Sequence, residues 1–421
     1  MLYFSKGSAT HAYSSAELRA SIFAALDKLG PRNKVLAIPP DFTRFFSRAG
    51  EITGYVYEYY GDKLTDVLPA LGTHTPMTAD EIKTMFPAVP SALFREHNWR
   101  KDVVTVGVVP GKIVKELTEG AIEMDWPAQL NKLIVEGGHD LVLSIGQVVP
   151  HEVLGMANYN KNTLIGTGGA EGINKSHFIS ASYGMERIMG RAINPARKLL
   201  NYASDHFTKH IPFVYIQTVV SAGADGLQLR GLHIGDDMEC FEAAARLSLE
   251  VNFVMLDREI KKAVVYLPPE ELRSTWVGNK SIYRTRMAMA DAGELIVLGP
   301  GVKQFGEDAG IDKLIRKYGY VHTPQVLKYV RENEDLRNAL GVAAHLIHGT
   351  SEGRFNITYC PGHLTREEIE SVGFKYADVT AMMKKYDPAK LKDGWNTVDG
   401  EEIYYISNPA LGLWAYRGRF K

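Results

Sequence analysis

Three polar clusters in the sequence carry side chains suited to proton transfer or anion binding: Asp41-Phe42-Thr43-Arg44, Gly72-Thr73-His74-Thr75-Pro76 and Pro150-His151. Imidazole titrates near neutral pH, which makes His74 and His151 candidate general acids or bases. The plainer alternative for each is an exposed or structural loop histidine. Arg44 offers a planar fork for a carboxylate or phosphate, with Asp41 near enough in sequence to orient it. A loop-stabilising ion pair is the other reading of the same two residues. Gly166-Thr167-Gly168-Gly169-Ala170-Glu171-Gly172 follows the apolar pair Leu164-Ile165, and amides such as those of Gly168 and Gly169 could cradle a phosphate. The polar stretch Ile173-Asn174-Lys175-Ser176-His177 intervenes where a dinucleotide fingerprint needs its helix, so a flexible turn stays open there. His206 and His210, four apart at a predicted helix end, are accounted for by the helix dipole without a metal.

The elements that must position these groups read as α/β: short apolar runs alternate with segments of helical period. Predicted strands are Val35–Ile38, 64–71, 103–108, 141–145 and 212–220. Each of the three polar clusters follows one of them, and ligands in open α/β sheets bind beyond the carboxyl ends of strands. Thr78-Ala79-Asp80-Glu81 and Thr365-Arg366-Glu367-Glu368 fit capping boxes. Asn194-Pro195 opens a helix whose apolar face is Leu199, Leu200, Ala203 and Phe207. Near residue 260 the pattern restarts, with strands predicted at 262–267, 295–298 and 355–359 and helices at 281–292 and about 310–347. The expectation is a two-domain α/β protein. Residues 1–258 form a larger domain, 259–394 a smaller Rossmann-like one, and the tail 395–421 packs back on the first, with the active site between them.

Composition narrows the classes. With 48 Lys+Arg against 49 Asp+Glu, the net charge of −1 gives no electrostatic reason to expect nucleic acid or an anionic membrane as partner. The start of the chain lacks a basic-then-apolar signal, so a cytoplasmic location is expected. Cys240 and Cys360 are the only cysteines, too few for a disulfide framework or a thiolate metal site.

In order and spacing, DFTR, GTH and PH, followed by Lys161 ten residues after His151 and His177 sixteen residues further on, resemble the nickel-dependent lactate racemase superfamily. The resemblance implies a nickel-pincer nucleotide (pyridinium-3-thioamide-5-thiocarboxylic acid mononucleotide) linked covalently to Lys161, with His177 as the nickel ligand. It implies the isomerase chemistry of a 2-hydroxyacid racemase or epimerase. His74 and His151 would be the two bases, one for each stereochemical sense, and Arg44 the substrate carboxylate clamp. Asp41 would support Arg44 or the cofactor ribose. Separate maturation proteins would make the cofactor, and a homodimer is compatible. Nickel suits a chain poor in thiols, because the cofactor brings the soft donors.

Two departures from the family pattern bear on substrate. The family's FSGGAK segment is Met156-Ala157-Asn158-Tyr159-Asn160-Lys161 here, and the substrate-binding lysine of its YQSVK helix falls on Met287. Arg284 or Arg286 is the expected replacement, and an exposed helix face is the alternative for both. A pocket with Asn158, Asn160, Arg284 and Lys303 would suit a polyhydroxy acid, such as an aldonate epimerised at C2, better than lactate. The competing readings are a lactate or other short-chain racemase, an NAD-dependent dehydrogenase, and a carboxylate- or nucleotide-binding protein without turnover.

Overall fold

The computed structural model describes residues 1–223 and 226–420. It divides into two compact units, Met1–Ser176 with Ile188–Asn252, and His177–Arg187 with Phe253–Lys421. The first unit therefore ends six residues before the expected boundary. Its sheet runs Leu2–Gly7, Gly226–Gly235, Phe213–Gly223, Leu141–Gln147, Val35–Ile38 and Leu64–Val67. The last four strands are parallel and the first two antiparallel to their neighbours. Val35–Ile38 is buried along its whole length, as its unbroken apolar run requires of a strand with neighbours on both edges. Its side chains join a core with Leu18, Ile22, Ile52, Val56, Leu143 and Ile216. The predicted strand at 103–108 forms as Val103–Val109, but it pairs antiparallel with Trp126–Asn131 outside this sheet.

Both capping boxes form, with each threonine accepting from the amide three residues on and the glutamate reaching back. Asn194 caps the helix Pro195–Ala203, which carries proline in its first turn as expected.

The second unit holds a six-stranded sheet in the order Lys375–Tyr376, Asn356–Pro361, Met289–Gly299, Ile260–Tyr266, Glu401–Ile406 and Gly394–Val398. All but the last run parallel, which gives the expected Rossmann-like series. Two expectations are corrected here. The tail does not return to the first unit, because Glu401–Ile406 pairs in parallel with Ile260–Tyr266. The helix predicted over 281–292 is replaced by two single turns, Thr275–Gly278 and Lys280–Tyr283, followed by a strand from Met289. Backbone pairing to strands on both sides overrides helical period there.

Candidate active site

The strands Leu64–Val67, Val35–Ile38 and Leu141–Gln147 are parallel neighbours, so the segments that follow them emerge at one edge of the sheet. Asp41 leaves the first of these turns as the cap of a 3-10 stretch, Phe42–Ser47, which carries Arg44. Asp41 is buried, and its carboxylate takes the Nδ1–H of the exposed His74 at 2.6 Å. Burial alone would raise the Asp41 carboxyl, but the hydrogen bond and charge of His74, with Thr43, hold it below its ordinary range. A carboxylate only accepts, so the neutral form of His74 carries its proton on Nδ1 and leaves the lone pair on Nε2. Asp41 is thus the orienting partner of His74, where the sequence pointed to Arg44 or a ribose.

His151 is built the opposite way. Pro150–His151 pairs with Gly155–Met156 in a two-residue hairpin. The tight turn aims the amides of Val153 and Leu154 at His151 Nδ1, at 3.1 and 3.4 Å. Nδ1 accepts, so the neutral ring keeps its proton on Nε2. One histidine presents a lone pair and the other an N–H.

Lys161 lies on the short helix Asn160–Leu164, which docks on the same edge: Asn162 Nδ2 donates to Ile38 O at 3.0 Å and to Ser144 Oγ at 3.1 Å. Gly72 N donates to Gly166 O at 2.8 Å and ties the His74 loop to the end of this helix. Among the described residues the Lys161 ammonium has no hydrogen-bonding or ion-pair partner. Burial, reinforced by the positive charge of Arg44 and opposed by Glu152 and Asp41, lowers it to about 8. Asp41, Arg44, His74, His151 and Lys161 all lie in the first unit.

Other expected site residues do different work. Gly168 and Gly169 are buried; a Cβ on them would sit 2.1 Å from Leu164 O and 2.5 Å from Gln129 Oε1. The amides of Gly166, Gly168, Ala170 and Gly172 donate to Lys161 O, Ile165 O, Trp99 O and Gln129 Oε1. These glycines permit close packing, and the phosphate cradle expected there is corrected. The helix missing from the sequence reading begins at once, at Ala170, and runs to Tyr183 with part-buried His177 on it. His97 had no recognisable role in the sequence; it secures the loop through Gly168 O, at 3.0 Å, and Asn131, at 2.9 Å.

His177, Arg284 and Arg286 belong to the second unit. Arg286 is buried and donates to Glu186 at 3.2 Å, and Arg354 joins the same carboxylate at 2.7 Å. Arg284 donates to the carbonyls of Gly412, at 3.1 Å, and Ala410, at 3.4 Å. Both arginines brace the second unit, which corrects their assignment as replacements for the family's lysine. Met287 is buried. Among the described residues no three of His, Cys, Asp and Glu converge as a metal site.

Sequence reasoning also missed Arg197. It sits on the apolar face of the helix Pro195–Ala203, one turn before Leu200, and is fully buried. Its guanidinium donates to Met156 O at 2.7 Å, to Asn158 O at 3.2 Å and to Asn160 Oδ1. A charged residue at helical spacing within an apolar face was the available signal. The segment it holds is strained. Asn158 and Tyr159 have φ of 64° and 57°, and Tyr159 combines this with ψ of −140°, a conformation natural only to glycine. Such a residue costs about 1–3 kcal/mol. The Tyr159 ring is buried against Tyr215 and Phe241, with centroids 4.3 and 5.4 Å away.

Residues 22–187 match the lactate racemase N-terminal domain family. No curated protein matches the chain in sequence. Its fold is similar to a crystal structure of a protein from Thermotoga maritima, with TM-score 0.79 and 24% identity over 96% of this chain and 99% of that one. It is also similar to the lactate racemase apoprotein from Thermoanaerobacterium thermosaccharolyticum, with TM-score 0.68 and 16% identity over 92% of this chain and 88% of that one. No described helix is long and apolar enough to cross a membrane.

Proposed function

We propose that the protein is a nickel-pincer-nucleotide-dependent racemase or epimerase of a 2-hydroxy acid. The observation that carries this reading is the Lys161 amine: part-buried, unpaired among the described residues, lowered to about 8, and placed beside Arg44, Asp41 and Glu152. An amine kept partly neutral is the nucleophile that a thioamide link requires. His177 on the helix Ala170–Tyr183 is a single imidazole, a donor that suits a metal whose remaining donors come from a bound nucleotide. The residues present therefore fit the group: Lys161 would anchor it and His177 would ligate nickel. When bound, the nucleotide supplies a hydride acceptor for substrate C2, chemistry no side chain performs.

The chain's own part follows from its protonation pattern. Arg44 holds the substrate carboxylate and fixes which face of C2 is presented. His74 Nε2 takes the hydroxyl proton from one enantiomer while Asp41 stabilises the imidazolium that forms. His151 Nε2–H returns a proton on the opposite stereochemical side, so the two rings exchange roles when the reaction runs backward. Of the residues that favoured an aldonate, exposed Lys303 is left and the others are engaged within the protein. Asn158 bonds Gln217, Asn160 bonds Asn201 and Arg197, and Arg284 and Arg286 are engaged elsewhere. The proposal accordingly covers 2-hydroxy acids as a class, with Arg44 as the carboxylate anchor.

Intact mass and metal analysis test it, on protein made with the cofactor-assembly proteins and nickel. A covalent increment with near-stoichiometric nickel, absent in Lys161→Ala, is the expected result. No increment, although a lactate racemase is loaded in parallel, would overturn it and favour a carboxylate-binding protein.

A further inference from the structure

The segment leading to Lys161 departs from the lactate racemase pattern most sharply where the backbone is most demanding. Two residues with side chains, Asn158 and Tyr159, hold left-handed φ values of 64° and 57° in the two positions that the family pattern gives to glycine. Asn tolerates a left-handed φ, but Tyr159 does not, so something outside the segment has to enforce that shape.

Arg197 is placed to do so. It is wholly buried, and among the described residues no carboxylate pairs with it. A lone buried charge is costly unless its donors are used. Its Nη1 and Nη2 donate to Met156 O, Asn158 O and Asn160 Oδ1, all within the segment, while Nε has no partner among the described residues, and its flat face lies 4.3 Å from the Phe241 ring that also stacks on Tyr159. Guanidinium and aromatic pocket thus grip the segment on either side of its strained residues. Asn160 is passed on to Asn201 and Ser204 of the same helical region, at 2.8 and 3.1 Å. The next residue is Lys161.

We infer that Arg197 is a positioning residue for Lys161: it holds the left-handed Asn158-Tyr159 pair in the backbone shape that presents the amine at the sheet edge. A uniform structural role would have used any well-packed side chain. A fork with three acceptors in five consecutive residues specifies a shape. The use of that amine in covalent cofactor attachment rests on the function proposed above; its presentation does not.

The test uses apo full-length protein and trinitrobenzenesulfonate, with Lys161 and the exposed Lys390 followed by peptide mass spectrometry. In Arg197→Met the labelling of Lys161 relative to Lys390 should fall about tenfold or more, because a misplaced group loses its particular environment. Arg197→Lys keeps the charge but cannot reach all three acceptors, so it should fall between, at about threefold. Wild-type labelling in either folded variant would overturn the inference. If Arg197→Met fails to fold cooperatively, Arg197→Lys decides alone: reduced labelling with a cooperative melt supports the clamp, and unchanged labelling removes it. Cofactor loading separates the two readings. Equal loading of wild type and Arg197→Met sinks the positioning role and leaves the function standing. Positioned labelling in a wild type that never loads does the reverse.

Discussion

Lys161 and Arg286 are both cations drawn into the protein, and the sequence offered both as ligand-binding residues. Their surroundings are opposite. Arg286 meets Glu186, which meets Arg354, which meets Asp291; Arg419 then links Asp291 to Glu259. Every charge in that chain has a counter-charge, and the result is a brace. Lys161 has Arg44 close enough to push its proton off and no described carboxylate close enough to pair with it. A satisfied cation holds structure together, and an unsatisfied one keeps its chemistry available. Spacing along a sequence gives either residue the same appearance.

The sharpest way to break this contrast is at Asp41. Asp41→Asn should lower turnover of the loaded enzyme by about 10²–10⁴, since it removes the acceptor that fixes the His74 tautomer. The Lys161 adduct should survive, as intact mass will show; a variant with full turnover would return Asp41 to a loop-stabilising role. Because the Asp41 pKa is depressed, its contribution is fully present above the ordinary carboxylate range and is lost only as pH falls through the lower folded value. Turnover between pH 5 and 9, roughly, should therefore show no limb from Asp41.

Lys161 sharpens the contrast by titration. Its labelling should reach half-maximum near pH 8, whereas an exposed lysine does so near about 10.4. A common midpoint would remove the poised amine. In the second unit, Arg286→Ala should cost about 1–3 kcal/mol, because it removes a buried side chain and its charged hydrogen bond while partly exposed Glu186 keeps Arg354. A thermal melt reports it, and a large rise in KM with an unchanged melt would restore Arg286 as a substrate ligand. Gly168→Ala should cost about 1–3 kcal/mol through its clash with Leu164 O, without affecting nucleotide attachment at Lys161. Smallest is Arg284→Ala, at about 1 kcal/mol, for its bonds to the 410 and 412 carbonyls.

What was legible in the sequence was local. Val35–Ile38 and the capping boxes at Thr78 and Thr365 stand where expected, because their signals lie within a few consecutive residues. Asp41, Arg44, His74, His151 and Lys161 were singled out through order and spacing, and parallel neighbouring strands bring the segments of the first four to one edge. The strand Leu2–Gly7 was missed because LYFSKG is an edge sequence with little apolar alternation. Residues 289–292, which open the strand Met289–Gly299, were taken for helix because the strand they pair with lies about 30 residues earlier in the chain. Gly168 and Gly169 look the same in sequence whether they admit a phosphate or a strand, and Arg197 looks exposed until the segment it grips is known.

The strand Glu401–Ile406 carries one more consequence, in the order of synthesis. It pairs with Ile260–Tyr266, made roughly 140 residues earlier, whereas the first unit's main sheet is complete once residue 235 has been translated. On the ribosome, the unit bearing Lys161 can thus finish folding while the second waits with an open strand edge. A nascent chain halted before residue 401 would leave Ile260–Tyr266 unpaired on that side, a template for aggregation beside an already folded neighbour.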